Sequence, residues 1–300
     1  MTKILNQQNV FRGLMNSNYE GEISDYGDTV KIGTLSSDVS LHDYTRYTAI
    51  AAAERPSTTV QELSIDQAKY WHVNFDDLDR AQAKPDVMEQ VIQVAANKMA
   101  NEVDRFCARL VTPPISGSAD DTSLVVAARS VTVGSQASKL PVATPNNRIA
   151  SAKRIIEGLS DLKTEMFEQN LPRGMRPWIV LTPYIFGLLE KLLTQGSSID
   201  YGGETGSALR RGLVGDMVGF NIEVSKNVAD GFVVNGGTNI ENRHICPAGT
   251  NEAATFASQI VKTEAYRSTT LFADVMRGLH VYGGKLVEPQ FLYHLVVNVD

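Results

Sequence analysis

One long amphipathic helix dominates this sequence. From about Pro85 to Leu110, the residues Met88, Ile92, Ala95, Met99, Val103, Phe106 and Leu110 recur at three- and four-residue intervals on a single face. Pro85 suits a first helical turn, and Pro113-Pro114 stop the run. At 1.5 Å per residue such a helix is a rod of roughly 37 Å, about twice the length usual in globular proteins.

What precedes the helix is of a different kind. The runs DTVKIGTLSSDVSLHDY and TTVQELSIDQAKYWHVNF are both patterned for β-structure. In the second, Leu63, Ile65, Trp71, Val73 and Phe75 share one parity, interrupted by Gln67 and Lys69. Between them lies the turn-like TRYTAIAAAERPST, with Arg55-Pro56 near its end. The two runs predict an extended hairpin over residues 26–84. A two-stranded ribbon cannot bury its own apolar residues and needs a partner surface. Residues 1–25 are polar and rich in Asn and Gln, with Val10, Phe11, Leu14 and Met15 as anchors, and read as an arm laid on something else.

Beyond the helix, residues 115–145 are rich in Ser, Gly and Thr around two short strands, LVVAA and SVTVG. A second amphipathic helix is predicted from Asn146 to Gln169, using Ile149, Ala152, Ile156, Leu159, Leu162 and Met166. WIVLT reads as a buried strand, Thr182-Pro183 opens a third helix, YIFGLLEKLLTQ, and Gly196 closes it. GFNIEV and GFVVNG complete an α+β layer. The intervening GSSIDYGGETGSALRRG is expected to be a long exposed loop. From Ala253 onward one helical or mixed segment is expected, then strands at LHVYGGKLVEP and FLYHLVVNV.

Signals for chemistry are sparse. Asp76, Asp77 and Asp79 could hold a divalent metal or serve as acid and base. The segment lacks the layout of a calcium loop, and acidic residues at a helix start are the simpler reading. The Gly283-Gly284-Lys285 run is followed by Leu286 where a phosphate loop needs Ser or Thr, so these glycines read as turns. Five scattered histidines show no metal-ligand spacing, and no nucleophile elbow appears. Cys107 and Cys246 cannot make a disulfide framework and read as small buried side chains. A net charge of −6 argues against a dedicated nucleic-acid binder, though not against a container for DNA. No targeting signal or apolar run of membrane-spanning length stands out, so a soluble protein made in a cytoplasm is expected. No catalytic, cofactor or metal residue is expected.

The order of elements resembles the Hong Kong 97-like fold of the major capsid proteins of tailed bacteriophages. LSIDQAKYWHVNFDDLDRAQA is similar to the segment that leaves the hairpin and enters the spine helix in that family. RGLVGDMVGFNIEVSKN resembles a central-domain stretch, and KTEAYRSTTLFADVMRGLHVYGGKLVEP resembles the closing segment, with a strand hairpin at HVYGGKLV. The resemblance covers essentially the whole chain. It implies an α+β architecture: an N-terminal arm (1–25), an extended hairpin (26–84), a peripheral domain with the spine helix (85–114 and 263–300), and a central or axial α/β domain (115–262).

It also implies a subunit that self-assembles, as pentamers and hexamers, into an icosahedral head enclosing double-stranded DNA. The expected place is the virion capsid, assembled in the host cytoplasm. Only about 25 residues precede the hairpin, which leaves no room for a built-in scaffold, so a separate scaffolding protein is expected. Portal and decoration proteins and non-specifically packaged DNA are the other implied partners, with no membrane. Intersubunit contacts are expected at Arg46, Tyr47, Ile50, Arg55, Lys69, Arg210 and Arg211. Some family members join neighbours through a Lys and an Asn; Lys31, Lys69 and Asn298 are present, but no motif assigns that role. The alternatives are an encapsulin-like nanocompartment shell of the same fold, a minor virion or adaptor protein, and a metal-dependent enzyme using Asp76, Asp77 and Asp79.

Overall fold

The computed structural model of the protein describes residues 9–18, 29–36, 42–44, 46–47, 49, 57–77, 86–112, 129–134, 138–169, 171, 174–195, 216–228, 233–235, 238–240 and 243–300. In chain order, a short 3-10 turn at Phe11–Leu14 is followed by strands Thr29–Ser36 (β1), Ser57–Ser64 (β2) and Gln67–Asp76 (β3), and by helix Asp86–Val111 (α1). Strand Ser130–Val133 (β4), helix Pro145–Glu168 (α2), strand Trp178–Leu181 (β5) and helix Pro183–Gln195 (α3) come next. Strands Asp216–Met217 (β6), Phe220–Val224 (β7), Val233–Asn235 (β8), Thr238–Ile240 (β9) and Arg243–Gly249 (β10) follow. The chain ends on Ala254–Arg267 (β11), Ala273–Leu286 (β12) and Leu292–Asn298 (β13).

The long helix forms as its period predicts, over 26 residues. The expected hairpin is present among the described residues. β1 pairs with β2 from Thr29 opposite Ser64 to Ser36 opposite Ser57. The run expected to be one strand over residues 58–75 then breaks at Ile65–Asp66. β3 leaves the hairpin and pairs antiparallel with β12, setting Trp71 opposite Gly278. Because Ile65–Asp66 keeps the period-2 parity, hydropathy alone could not reveal the change of partner.

β11, β12 and β3 form a three-stranded antiparallel sheet in that order. Two expectations are corrected here. The segment after Ala253, expected to be helical or mixed, is a strand of 14 residues paired with β12 along its length, with an irregularity between Ile260 and Lys262. Its Thr, Phe, Ile, Val and Tyr content suits a pleated surface, and Gln259, Lys262 and Glu264 hid the alternation. Gly283-Gly284 are not a turn, so no hairpin forms at HVYGGKLV; β12 runs straight through them. A Cβ on Gly283 would run into the Ser64 carbonyl and lie 2.9 Å from the Ile65 Cα, so glycine lets the β2–β3 junction cross directly over β12.

The second large sheet has the order β4-β13-β10-β5-β7-β6. α2 starts where Thr144 Oγ1 accepts from the Asn147 N–H at 3.3 Å, with Pro145 in its first turn. α2 and α3 cover one face, packing Ile155, Leu159, Leu162, Ile185 and Leu189 against Ile179, Leu181, Leu295 and Val297. On the other face, Trp178 and Val180 join Val103, Cys107 and Val111 of α1 with Phe256 and Tyr282. The four residues of β5 thus alternate between two cores, which explains why WIVL is buried throughout. β13 lies in this six-stranded sheet, so residues 263–300, grouped above as one peripheral unit, are divided between the two sheets. No helix among the described residues is long and apolar enough to cross a membrane.

Candidate assembly surface

The three-stranded sheet has two unlike faces. Antiparallel pairing puts opposite residues on the same side, so Tyr70, His72 and Asn74 of β3 align with Leu279, Arg277 and Val275 of β12. The same row continues through Lys262, Glu264 and Tyr266 of β11. At one end this face is covered by the hairpin: Val30, Ile32, Leu63 and Ile65 pack on Ala257, Val281 and Leu279. The base of the hairpin therefore finds its partner surface within its own chain.

Past the hairpin the face is open and decorated. Arg277 donates to Glu264 through Nε at 2.9 Å and Nη2 at 2.5 Å, and Lys262 Nζ lies 2.6 Å from the same carboxylate. Hydrogen bonding from Lys262 and then Arg277 holds the Glu264 carboxyl down at about 2. The Arg277 guanidinium sits 5.1 Å over the Tyr266 ring, and His72 stacks on that ring with Nε2 3.2 Å from its hydroxyl. Tyr70 is 78% exposed beside them. An alternation of charge and aromatic rings on a flat strand face suits contact with another protein surface. The opposite face carries Trp71, Val73 and Phe75, all half-buried, toward α1.

The structure places the expected contact residues as follows. Arg46 and Tyr47 lie beyond β1, exposed, with the guanidinium 5.6 Å over the ring; Tyr47 adopts φ 67° and is 94% exposed. Tyr44, also exposed, adds a third large side chain that the sequence reading did not single out. Lys69 is exposed on β3, opposite His280. Ile50, Arg55, Arg210 and Arg211 lie outside the described residues, as does the loop 196–212. Neither β1 nor β3 brings its lysine to Asn298. That residue is buried at the end of β13, where its Nδ2 donates to the Gly134 carbonyl at 2.6 Å.

Other groups that could carry chemistry are engaged in structure. Asp76 closes β3, and Asp79 is outside the described residues. Asp77 is bonded by both terminal nitrogens of Arg267, and that guanidinium also reaches Asp274 at 3.1 Å. Asp77 is therefore tied to a cation 190 residues away in sequence. Cys107 and Cys246 are buried, and burial pushes both thiols up to about 12, far from nucleophilic thiolates. Two buried polar groups bind the units together. Asp104 of α1 accepts the Phe11 N–H at 2.8 Å and the Asn227 side-chain amide at 2.8 Å. The His294 Nε2 lies 2.9 Å from the Val111 carbonyl at the end of α1, and burial lowers its pKa.

The arm also finds its place. Phe11 and Met15 are buried in the core under α1, and Val10 and Leu14 pack against it. Asn16 exchanges backbone hydrogen bonds with Ala254 and Phe256 at the start of β11.

No protein-family model and no curated protein matches the sequence. Solved structures do match over the whole chain. A structure of Mycobacterium phage Che8 aligns with a TM-score of 0.71 at 24% identity, covering 98% of this chain and 93% of that one. The capsid structure of cyanophage P-SCSP1u aligns with a TM-score of 0.72 at 16% identity, over 100% and 91% of the two chains. The mature capsid of bacteriophage PhiM1 gives 0.68 at 15% identity, over 99% and 89%. At these identities the likeness is one of fold.

Proposed function

We propose that this chain, which has the Hong Kong 97-like capsid fold, is the major capsid protein of a tailed phage. In this reading it builds the icosahedral head from pentamers and hexamers and encloses double-stranded DNA. The observation that carries the proposal is the end-to-end alignment with phage capsid subunits, arm and hairpin included, at TM-scores near 0.7. The surface agrees with it. Large side chains are exposed at Tyr44 and Tyr47 beyond β1 and at Leu271 and Phe272 between β11 and β12. A subunit that buries such groups against identical neighbours has a use for them; a monomer has a solubility problem.

The role is structural, not enzymatic, and the place of the protein is the virion capsid, after assembly in the host cytoplasm. Partners in this reading are other copies of the chain, a separate scaffolding protein, portal and decoration proteins, and packaged DNA. With a net charge of −6, DNA would be held without tight or specific contacts. The axial position belongs to the α2–α3 sheet domain, with Arg210 and Arg211 contacting neighbours around the local axis. The peripheral position belongs to α1 and the three-stranded sheet. The hairpin end carrying Arg46, Tyr47, Ile50 and Arg55, together with Lys69, supplies contacts across the subunit boundary.

The test is electron microscopy of the purified chain, alone and co-expressed with a candidate scaffolding protein. Closed shells or five- and sixfold clusters are expected. A chain that stays monomeric at high concentration under both conditions would overturn the proposal.

A further inference from the structure

A strand at the rim of a sheet turns a row of backbone N–H and C=O groups outward. The three-stranded sheet has two rims, β11 and β3, and they are finished differently. On β11 the arm takes the start of the row: the Asn16 N–H donates to the Ala254 carbonyl, and the Asn16 carbonyl accepts from the Phe256 N–H, both at 3.0 Å. The irregularity between Ile260 and Lys262 then breaks the alternation further along. A bulge of this kind interrupts pairing along a rim.

β3 has no such interruption. Its register with β12 runs unbroken from Gln67 opposite Tyr282 to Asp76 opposite Ala273, and no proline lies within it. The Asp77 N–H donates to the Phe272 carbonyl at 3.0 Å, so the odd-numbered residues of β3 turn their backbone groups toward β12. Ala68, Tyr70, His72 and Asn74 therefore turn theirs outward. All four residues are exposed, and among the described residues no backbone hydrogen bond reaches them on that side.

We infer that β3 pairs with β3 of a second copy, antiparallel and about a two-fold axis, joining two three-stranded sheets into one of six strands. Identical strands in this arrangement answer donor with acceptor, and each copy contributes the same four residues. Charge selects the antiparallel sense. Lys69 lies near one end of β3, so antiparallel pairing about the middle of the strand parts the two lysines by about 20 Å. Parallel pairing in register would set them side by side, which is unfavourable. The inference rests on the shell proposal for its second copy, and it supplies a two-fold contact between clusters, distinct from the head-to-tail contacts that make a ring.

Cysteine cross-linking of the full chain tests it. Chains carrying Tyr70→Cys, His72→Cys or Asn74→Cys are assembled alone and in pairwise mixtures, then oxidised with copper phenanthroline. Cys107 and Cys246 are buried and give little background. Opposite residues of a hydrogen-bonded antiparallel pair have Cα atoms about 5.5 Å apart, within disulfide reach. Any two-fold centred between residues 70 and 74 therefore gives a covalent dimer in at least one preparation. Tyr70→Pro and Asn74→Pro each remove an outward N–H and leave the bonds to β12 intact. Placed in the cross-linking chains, at whichever position does not carry the cysteine, they should abolish the dimer with circular dichroism unchanged. Alanine at the same positions should retain it. Shells that form without a dimer in any preparation overturn the inference and leave the capsid proposal standing, as does a dimer that the prolines do not affect. A chain that never assembles overturns both.

Discussion

The Asp104 carboxylate, fully buried on α1, accepts the backbone N–H of Phe11 at 2.8 Å and so fastens the N-terminal arm to the long helix. Its second oxygen takes the Asn227 amide, which extends the tie to the loop after β7. One side chain thus joins three parts of the chain that are far apart in sequence. Replacing it by Ala leaves the buried Phe11 N–H without its acceptor and the half-buried Asn227 amide with Asn101 Oδ1 alone, at 2.9 Å. Asp104→Ala should cost about 3 kcal/mol and Asp104→Asn roughly 1 kcal/mol, the usual scale for charged and neutral buried hydrogen bonds. Urea denaturation of the two variants checks this, and equal losses would show that the carboxylate is not the fastening group.

Gly283 offers a sharper steric test. The atoms that its Cβ would meet are backbone, the Ser64 carbonyl and the Ile65 Cα, so no side chain can swing away. Gly283→Ala should lose about 2 kcal/mol through overpacking. Gly13→Ala, where nothing lies within 4 Å, is the control and should be close to neutral. Thermal melts of the two variants side by side decide it.

The helices and the β5 strand were legible in the sequence because their periods are strong and their ends carry Pro, Thr or Gly. The resemblance, resting on three runs in the right order, anticipated the α+β fold shared with the solved capsid structures, though not the continuous β12 or the place of β13 in the six-stranded sheet. What was missed shares one cause: partners distant in sequence. The break at Ile65–Asp66 keeps the parity of its run, so only the pairing with β12 reveals it. Gly283-Gly284 has the composition of a turn, and only the strand junction passing over it says otherwise. β11 alternates between a covered face and an open one, and Lys262 and Glu264 on the open side disguised it. Arg267 and Asp77 pair across 190 residues, an ion pair that no local pattern could announce. Among the candidate contact residues, Arg46, Tyr47 and Lys69 were legible as exposed, whereas the exposure of Leu271 and Phe272 depends on the fold of the turn.

His294 sets a pH dependence. Burial lowers its pKa below the ordinary 6.5, so the unfolded chain binds a proton that the folded one resists. Its contribution is fully present above about pH 6.5 and is lost as the pH falls from there through the folded-state value. Carboxylates add their own losses at lower pH, so the measurement is a difference. Wild type should lose more stability between pH 7.5 and 5 than His294→Gln does. Parallel losses in the two chains would show that His294 does not sense this range.

Removing the far end of the hairpin, Thr45 to Pro56, should spare folding and abolish assembly. Two observations predict the first half. The hairpin is held to its own subunit through Val30, Ile32, Leu63 and Ile65, which pack on Ala257 and Val281. Among the described residues the β1–β2 register runs to Ser36 opposite Ser57, so the deletion removes no residue of either strand as described. The eight residues 37–44 are enough to rejoin them. The second half follows from what is lost. Tyr47, 94% exposed in the isolated chain, goes with Ile50 and the Ala51–Ala53 run. If these are covered by a neighbour, a few hundred Å² of apolar surface at ~25 cal/mol per Å² contributes several kcal/mol per contact. Summed around a ring, that decides whether a shell closes. Circular dichroism, thermal melting and electron microscopy on one sample separate the outcomes. An unfolded variant would place this end in the subunit core, and normal shells would show that the hairpin is not the contact that closes them.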